Sequence, residues 1–444
     1  MSTTESRPLT SIADDILSLA RKGKAAACAV RVGSTTSRRV VHRDGQWEEL
    51  QGSTTLGATV RLFVDGRYAV HRTSDLRPES LAAFLTEAIG LTRQVMPDEH
   101  RKLPEPSLYA PKTPPALELA DPAIAQLTLE HRKQAALAAF TACRDKLGDK
   151  GISVTATFDD SRSLGCIAHS DGFASSLEDT SCSVSATAAV LDPDGGRPSD
   201  WSYSSACHLA DLVDPAKIGA HAAERALRAI GAKKIDTGAY ELLVENRACG
   251  KLLWGLLNPL FGSSIFNKQS WAADLAGLPV GASILSITDD PLVVRGLGSR
   301  TYDGEGLGAR RLPVFDQGVL RGFYIDTYYG SRLGRAATTG SPSNLVVTPG
   351  ASDFPALLSR VKRGLWINRF IGGNNNGTTG DFSMGLGGFL VENGRIVHPV
   401  IELNLSANHK TFWHQLAAVG SDVQVNSSVR TPSLLFAPIL IAGK

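Results

Sequence analysis

The chain has 444 residues, 43% hydrophobic and 20% charged, with 43 glycines and 22 prolines, an ordinary globular composition that excludes a disordered or collagen-like chain. Lys and Arg total 46 against 44 Asp and Glu, and the resulting net charge of +2 supplies no broad field for nucleic acid or an anionic membrane. A single core seldom grows past ~250–300 residues, so two domains are expected.

The longest uncharged apolar run near either end, Leu434–Ala442, is interrupted by Pro438. It falls far short of the ~20 residues that span a bilayer. Met1-Ser2-Thr3-Thr4-Glu5-Ser6-Arg7 lacks the basic start and apolar segment of a secretion signal, so a cytoplasmic location is expected. Cys28, Cys143, Cys166, Cys182, Cys207 and Cys249 form no C-x-x-C pair, which leaves buried reduced thiols as the ordinary reading and removes a zinc ribbon.

Asp44-Gly45 and Asp65-Gly66 separate β-rich runs and predict type I′ hairpins, because Asx-Gly tolerates the positive φ angles of that turn. Val60, Leu62 and Val64 alternate with Arg61 and Phe63 as one better-buried strand face. After Arg77-Pro78, the residues Leu81, Phe84, Leu85, Ala88 and Ile89 make a helical stripe. Five prolines between 104 and 115 predict an extended connector, followed by a helix over 129–147 that ends at Gly148. Residues 152–158 and 181–190 read as strands, with a turn at Asp192-Pro193-Asp194-Gly195-Gly196. Asp214-Pro215 caps a helix carrying Ile218, Ala222, Leu227 and Ile230 and closed by Gly231.

The turn-forming stretch 232–238 marks the expected boundary between an N-terminal α/β domain, 1–231, and a C-terminal antiparallel β-rich domain with short helices, 232–444. The fold class is therefore α+β. In the second domain, hairpins are expected at Asp316-Gln317-Gly318 and Glu392-Asn393-Gly394, and helices over 359–364 and 410–419.

None of the ten histidines is followed by Glu, which excludes an H-E-x-x-H metalloprotease helix. His409 and His414 are five apart, a poor ligand spacing on a helix. Cys249 follows the apolar strand 240–244 near the start of a helix, where the dipole can lower a thiol pKa; it is either a nucleophile or a buried thiol. Asp289-Asp290 and Asp303-Gly304-Glu305-Gly306 are either cation ligands or loop-amide acceptors. The glycine-rich runs 372–377 and 385–388 match neither G-x-G-x-x-G nor a P-loop, and read instead as places where strands or an extended peptide come close. Ser383, beside Asp381 and Phe382, is a nucleophile candidate with no identifiable histidine.

The ordered landmarks Asp289-Asp290-Pro291, Gly298-Ser299, Tyr302-Asp303-Gly304-Glu305-Gly306, Gly318-Val319-Leu320, Asp326-Thr327-Tyr328-Tyr329, Asn344-Leu345, Pro349-Gly350, Thr379-Gly380-Asp381-Phe382-Ser383, Glu392-Asn393-Gly394 and Ile441-Ala442-Gly443 resemble the TldD/PmbA family, also called the modulator of DNA gyrase family. Val64-Asp65-Gly66-Arg67 and Thr73-Ser74-Asp75-Leu76 extend the resemblance upstream. That family pairs two related subunits, and in the TldD type H-E-x-x-x-H on a helix binds the catalytic metal together with a C-terminal cysteine. The corresponding positions here are Glu245, Asn246 and Gly250, and the C-terminal loop 425–432 has no cysteine. The chain is thus similar to the TldE (PmbA) type, which lacks the metal site.

The resemblance implies a cytoplasmic peptidase complex that degrades unfolded peptides or processes leader peptides of ribosomally made natural products. Zinc would reside in a TldD-like partner, and this chain would hold neither metal nor cofactor. Asn374, Asp381, Phe382 and Ser383 are expected to line the substrate chamber. A homodimer is the alternative state of the isolated chain. The contrasting function is a self-sufficient peptide hydrolase using Cys249 or Ser383.

Overall fold

The computed structural model describes residues 7–444; the opening segment 1–6, on which most of the secretion reading rests, lies outside them. The first half is built on a six-stranded antiparallel sheet of β1 (Ala27–Arg43), β2 (Gln46–Val64), β3 (Arg67–Thr73), β4 (Gly151–His169), β5 (Ala174–Val190) and β6 (Ser199–Ala206), in the order β3-β2-β1-β4-β5-β6. Helices α1 (Leu9–Lys22) and α2 (Pro78–Thr92) cover one end, and α4 (Leu129–Leu147) and α5 (Pro215–Arg228) the other; a single turn, α3 (Pro122–Ala125), precedes α4.

Val30 and Val32 pack with Ile16, Leu81 and Leu85, whereas Val40 packs with Ala136, Ala139 and Ala222. These valines share one face of β1 by the strand period, so both helix pairs lie on the same side and leave Ser34, Thr36 and Arg38 between them. The Asp44-Gly45 and Asp65-Gly66 hairpins form as expected, with positive φ at both residues of each turn.

From Gly238 onward the strands belong to two further sheets. One is five-stranded, β10-β9-β8-β11-β16, from β8 (Ile287–Asp289), β9 (Leu312–Asp316), β10 (Val319–Leu320), β11 (Leu345–Val347) and β16 (Val429–Arg430). The other is ordered β14-β13-β12-β7-β17-β15, from β7 (Gly238–Val244), β12 (Arg363–Asn375), β13 (Asp381–Glu392), β14 (Arg395–Asn408), β15 (Leu416–Val419) and β17 (Leu434–Ala442). Because β14 also pairs with β17, through Asn404–Ala442 and Leu405–Ile441, this sheet curls back on itself. Helix α6 (Asn246–Leu257) fills it with Leu252, Leu253, Leu256 and Leu257, all fully buried, and each such side chain contributes about 1.5–3 kcal/mol. The short helices α7 (Gly262–Phe266), α8 (Thr327–Leu333), α9 (Phe354–Arg360) and α10 (His409–Phe412) complete the second half.

Two expectations need correction. Residues 359–364 are not a helix: α9 ends at Arg360, and Gly364 already pairs in parallel with Glu241. The segment 410–419 is helical only to Phe412, then passes through a 3-10 turn into β15, where Leu416 pairs with Phe436. In both cases a partner strand distant in sequence overrides the local pattern. The second half is mainly antiparallel, as expected, with β7–β12 and β11–β16 as parallel pairs.

Helices α4 and α5 touch backbone to backbone at Gly219, where a Cβ would fall 1.9 Å from the Ala139 carbonyl oxygen. Gly219→Ala is therefore expected to destabilise the protein by about 1–3 kcal/mol, against the usual gain of alanine in a helix. Thermal unfolding should show a lower Tm; an unchanged or raised value would mean that the helices separate freely.

Candidate functional site

Strand β7 delivers Glu245 to the N-cap of α6, and the Glu245 N–H donates to the Ile367 carbonyl at 2.9 Å, fixing this corner to β12. Glu245 Oε1 accepts from Arg225 Nη1 at 2.7 Å. The same guanidinium reaches Asp200 Oδ1 at 3.2 Å through Nε and the Asn368 carbonyl at 3.4 Å through Nη2. Burial opposes the Arg225 charge, but Glu245 and Asp200 outweigh it and hold its pKa above the ordinary value. Burial also raises the Glu245 pKa, against the pull of Arg225 and Arg247.

Asn246 donates its side-chain amide to the Asp422 carbonyl at 2.6 Å, and its N–H to Ser433 Oγ at 3.1 Å. Gly250 faces Val429, with room for a Cβ at 3.6 Å from Val429 Cγ1. The three positions that the resemblance aligns with H-E-x-x-x-H therefore do meet the 422–433 loop. They do not fit a zinc ion: the carboxylate is bound to a guanidinium, the amide to a carbonyl, and Gly250 has no donor. Among the described residues no group of three His, Cys, Asp or Glu side chains is arranged to hold a metal.

Cys249, on the same turn, is 0% exposed and donates Sγ–H to the Val244 carbonyl at 3.5 Å. Burial pushes its thiol far above the ordinary pKa, opposite to the lowering that a helix N-terminus gives an accessible thiol. Burial acts the same way on the other cysteines, lifting Cys143 to about 11 and Cys28 to about 12. Arg247 stacks on Trp201 and Tyr203, and Arg369 donates to the Ser199 carbonyl at 3.0 Å, so both serve β6.

The opposite end of α6 borders a cleft of about 970 Å³. Asn258, directly after the helix, lines it together with Gln269, Asn374, Asn375, Asn376, Asp381, Phe382, Ser383 and Ser406. The four expected chamber residues thus share one groove, roughly 20 Å along the helix from Glu245 at 1.5 Å per residue. The amides of Asn258, Gln269 and Asn374 make no side-chain hydrogen bond among the described residues. Asp381 accepts from Thr379 Oγ1 and Asn408 Nδ2, both at 2.7 Å, and these bonds hold its pKa below the ordinary range. Ser383 Oγ sits among Asn404 Nδ2 at 3.0 Å and Ser406 Oγ at 3.1 Å, with no histidine in hydrogen-bond reach.

The residue that sequence spacing set aside is His409. It stacks on Phe382 with ring centroids 4.4 Å apart, accepts from Trp413 Nε1 at 3.0 Å, and bonds Asn375 Oδ1 at 3.1 Å. With its Nδ1 accepting, the Nε2–H donates to Asn375. Burial lowers its pKa to about 4, so it stays neutral and props the groove wall without exchanging protons near neutral pH. Its partners lie 4 to 34 residues away in sequence, and no local spacing signals them.

The acidic clusters are loop ties. Asp289 accepts from the Ser343 N–H and Tyr324 Oη, and Asp303 from the Glu305 and Leu307 N–H groups.

A long-stranded antiparallel sheet with helices on one side, followed by a β-rich half closed around one helix, is a two-part α+β architecture that known proteins share. Family profiles described as PmbA/TldA metallopeptidase domain 1, central domain and C-terminal domain match residues 28–91, 122–230 and 237–443. The chain belongs to the PmbA/TldD family. It is 26% identical to the metalloprotease PmbA of Escherichia coli O157:H7 over 95% of this chain and 93% of that protein. A crystal structure from Bacteroides thetaiotaomicron, named as a modulator of DNA gyrase, superposes with a TM-score of 0.95 at 33% identity, covering both chains completely. TldE from Thermococcus kodakarensis shares the fold at a TM-score of 0.83 and 18% identity, over 97% of this chain and 100% of that one.

Because all six cysteines are buried, with raised thiol pKa values, a thiol reagent at pH 8 should label the native protein at well below one site per chain, and label all six on unfolding. One fast-reacting native thiol, mapped to Cys249, would restore it as a nucleophile.

Proposed function

We propose that this chain is the metal-lacking subunit of a cytoplasmic two-subunit peptidase, in which a TldD-like partner carries zinc and this chain supplies part of the substrate chamber. The observation that carries the reading is the sealed first turn of α6, where Glu245 is committed to Arg225 and Asn246 to Asp422. The family's metallopeptidase names support the reaction class, and the zinc metalloprotease TldD homolog of Saccharolobus solfataricus, 22% identical over 50% of this chain and 52% of that protein, supports zinc elsewhere in the family. We assign the change from one unit to the other to the stretch after Gly231, with Lys233 already bonded to Pro399.

The substrate is an unfolded or leader peptide bound extended in the groove. Amides and hydroxyls each offer a donor and an acceptor, which matches a peptide main chain and leaves its side chains unread. The lone ionisable lining residue among those described, Asp381, is already hydrogen-bonded. The net charge of +2 favours a peptide over DNA as the ligand. No helix in the described residues is long and apolar enough to cross a membrane. The self-sufficient hydrolase has weaker support, because Cys249 is sealed and Ser383 lacks a base.

Reconstitution tests the proposal. Cleavage of unstructured peptides should require both subunits and be abolished by a chelator, while Cys249→Ala and Ser383→Ala leave kcat within a few-fold, far from the orders of magnitude that a nucleophile's loss costs. Asn374→Ala with Gln269→Ala should raise KM about 5–50-fold at unchanged kcat, one to two hydrogen bonds' worth. Cleavage by this chain alone, at the rate of the mixture, would overturn the reading.

A further inference from the structure

The face of the first sheet opposite its helices meets loops of the second half at a cavity of about 260 Å³. Ala29 of β1 pairs with Arg61 of β2 and with His169 of β4, so these three stand in a row across that face. The segment after α2 adds Arg101 and Lys102, and the second half contributes Asp303, Glu305 and Asp326.

Three cations and three carboxylates thus line one cavity, yet among the described residues no ion pair joins the two sets. Arg61 gives one N–H to the Gly304 carbonyl at 2.8 Å, and Lys102 turns to Glu105 outside the cavity. The Arg101 guanidinium lies 4.7 and 3.3 Å from the ring centroids of Tyr68 and Tyr328. On the acidic side, Glu305 accepts from the Thr327 N–H at 2.9 Å and its hydroxyl at 2.6 Å, and Asp326 from the Tyr329 N–H at 2.7 Å. These partners are neutral, and burial raises the pKa of both Glu305 and Asp326.

His169 supplies an independent sign of a ligand. Tyr109 Oη donates its one proton to Asp171 at 2.7 Å, so towards His169 Nδ1, at 3.0 Å, it accepts. The proton therefore sits on Nδ1, and burial lowers the pKa of the ring to about 4, which keeps it neutral. Nε2 is left as a bare acceptor on a side chain only 2% exposed, with no hydrogen-bond partner among the described residues. Buried polar atoms are as a rule bonded, and the space beside this ring is the cavity that it lines.

We propose that the cavity binds a small zwitterion, a free amino acid or a dipeptide, with its carboxylate on Arg61 and Arg101 and its ammonium on Glu305 and Asp326. One N–H of the ligand completes His169 Nε2, and Phe63, Tyr68 and Tyr328 offer an apolar wall to its side chain. Opposite charges that line one space without pairing are matched by a molecule that carries both. The site shares no lining residue with the amide-lined groove and does not depend on the peptidase reading.

Calorimetric titration of the full chain with L-leucine and with glycyl-L-leucine tests the proposal. At least one should bind and raise the Tm, because the ligand joins the two halves of the chain. Its N-acetylated and C-amidated forms, each lacking one charge, should bind about 10-fold more weakly or worse, and Arg61→Gln and Glu305→Gln should cost a similar factor with unchanged circular dichroism. Inorganic phosphate should not compete. No binding of either zwitterion up to about 10 mM would overturn the inference. So would capped forms that bind as tightly, displacement by phosphate at equal affinity, or binding indifferent to both substitutions.

Discussion

A guanidinium held out of water between two carboxylates organises the centre of this molecule. Arg225 projects from α5 to Asp200 on β6 and to Glu245 at the head of α6, and touches the Asn368 carbonyl on β12. Removing one partner from such a buried set leaves an uncompensated charge, at a cost of about 3–5 kcal/mol. The sheet of the first half, the helix at the centre of the second and the strand that carries the groove are therefore fixed by a single side chain. That fixation also occupies the carboxylate which, at this point of the family's helix, would otherwise be free for chemistry.

Helix α6 consequently has two ends with different characters. Its first turn is closed by Arg225, Asp422 and Val429, and its last turn opens onto an amide-lined groove. Four buried leucines between them anchor the helix in the curled sheet, so the groove wall is held by core packing rather than by a loop. His409 adds a second fixation, since its ring supports Phe382 and its Nε2–H orients Asn375. The groove combines rigid walls with side chains free to bond a main chain, a suitable balance for extended peptides of varied sequence.

The hairpins at Asp44, Asp65, Gln317 and Asn393 were legible because their turn residues carry the positive φ that the geometry demands. The cap at Asp214 was legible because its side-chain oxygen meets an orphan N–H two residues on. Residues 359–364 and 410–419 misled because strand pairing with β7 and β17, more than a hundred residues before or some twenty after, decides their conformation. The groove was half legible: the glycine-rich run around Asn374 and the Asp381-Phe382-Ser383 cluster pointed to it, but Asn258, Gln269 and His409 reach it only through the fold. The Arg225–Glu245 pair spans the expected domain boundary, where no local pattern reports a contact.

Whether the head of α6 holds a metal is measured most directly by elemental analysis of the purified chain after zinc loading, together with calorimetric titration of zinc. With Glu245 bound to Arg225, Asn246 bound to Asp422 and no donor at Gly250, the expected result is zinc far below one equivalent and no binding isotherm beyond weak surface association. One equivalent of tightly held zinc, lost on Glu245→Ala, would contradict the assignment of this chain as the metal-free subunit.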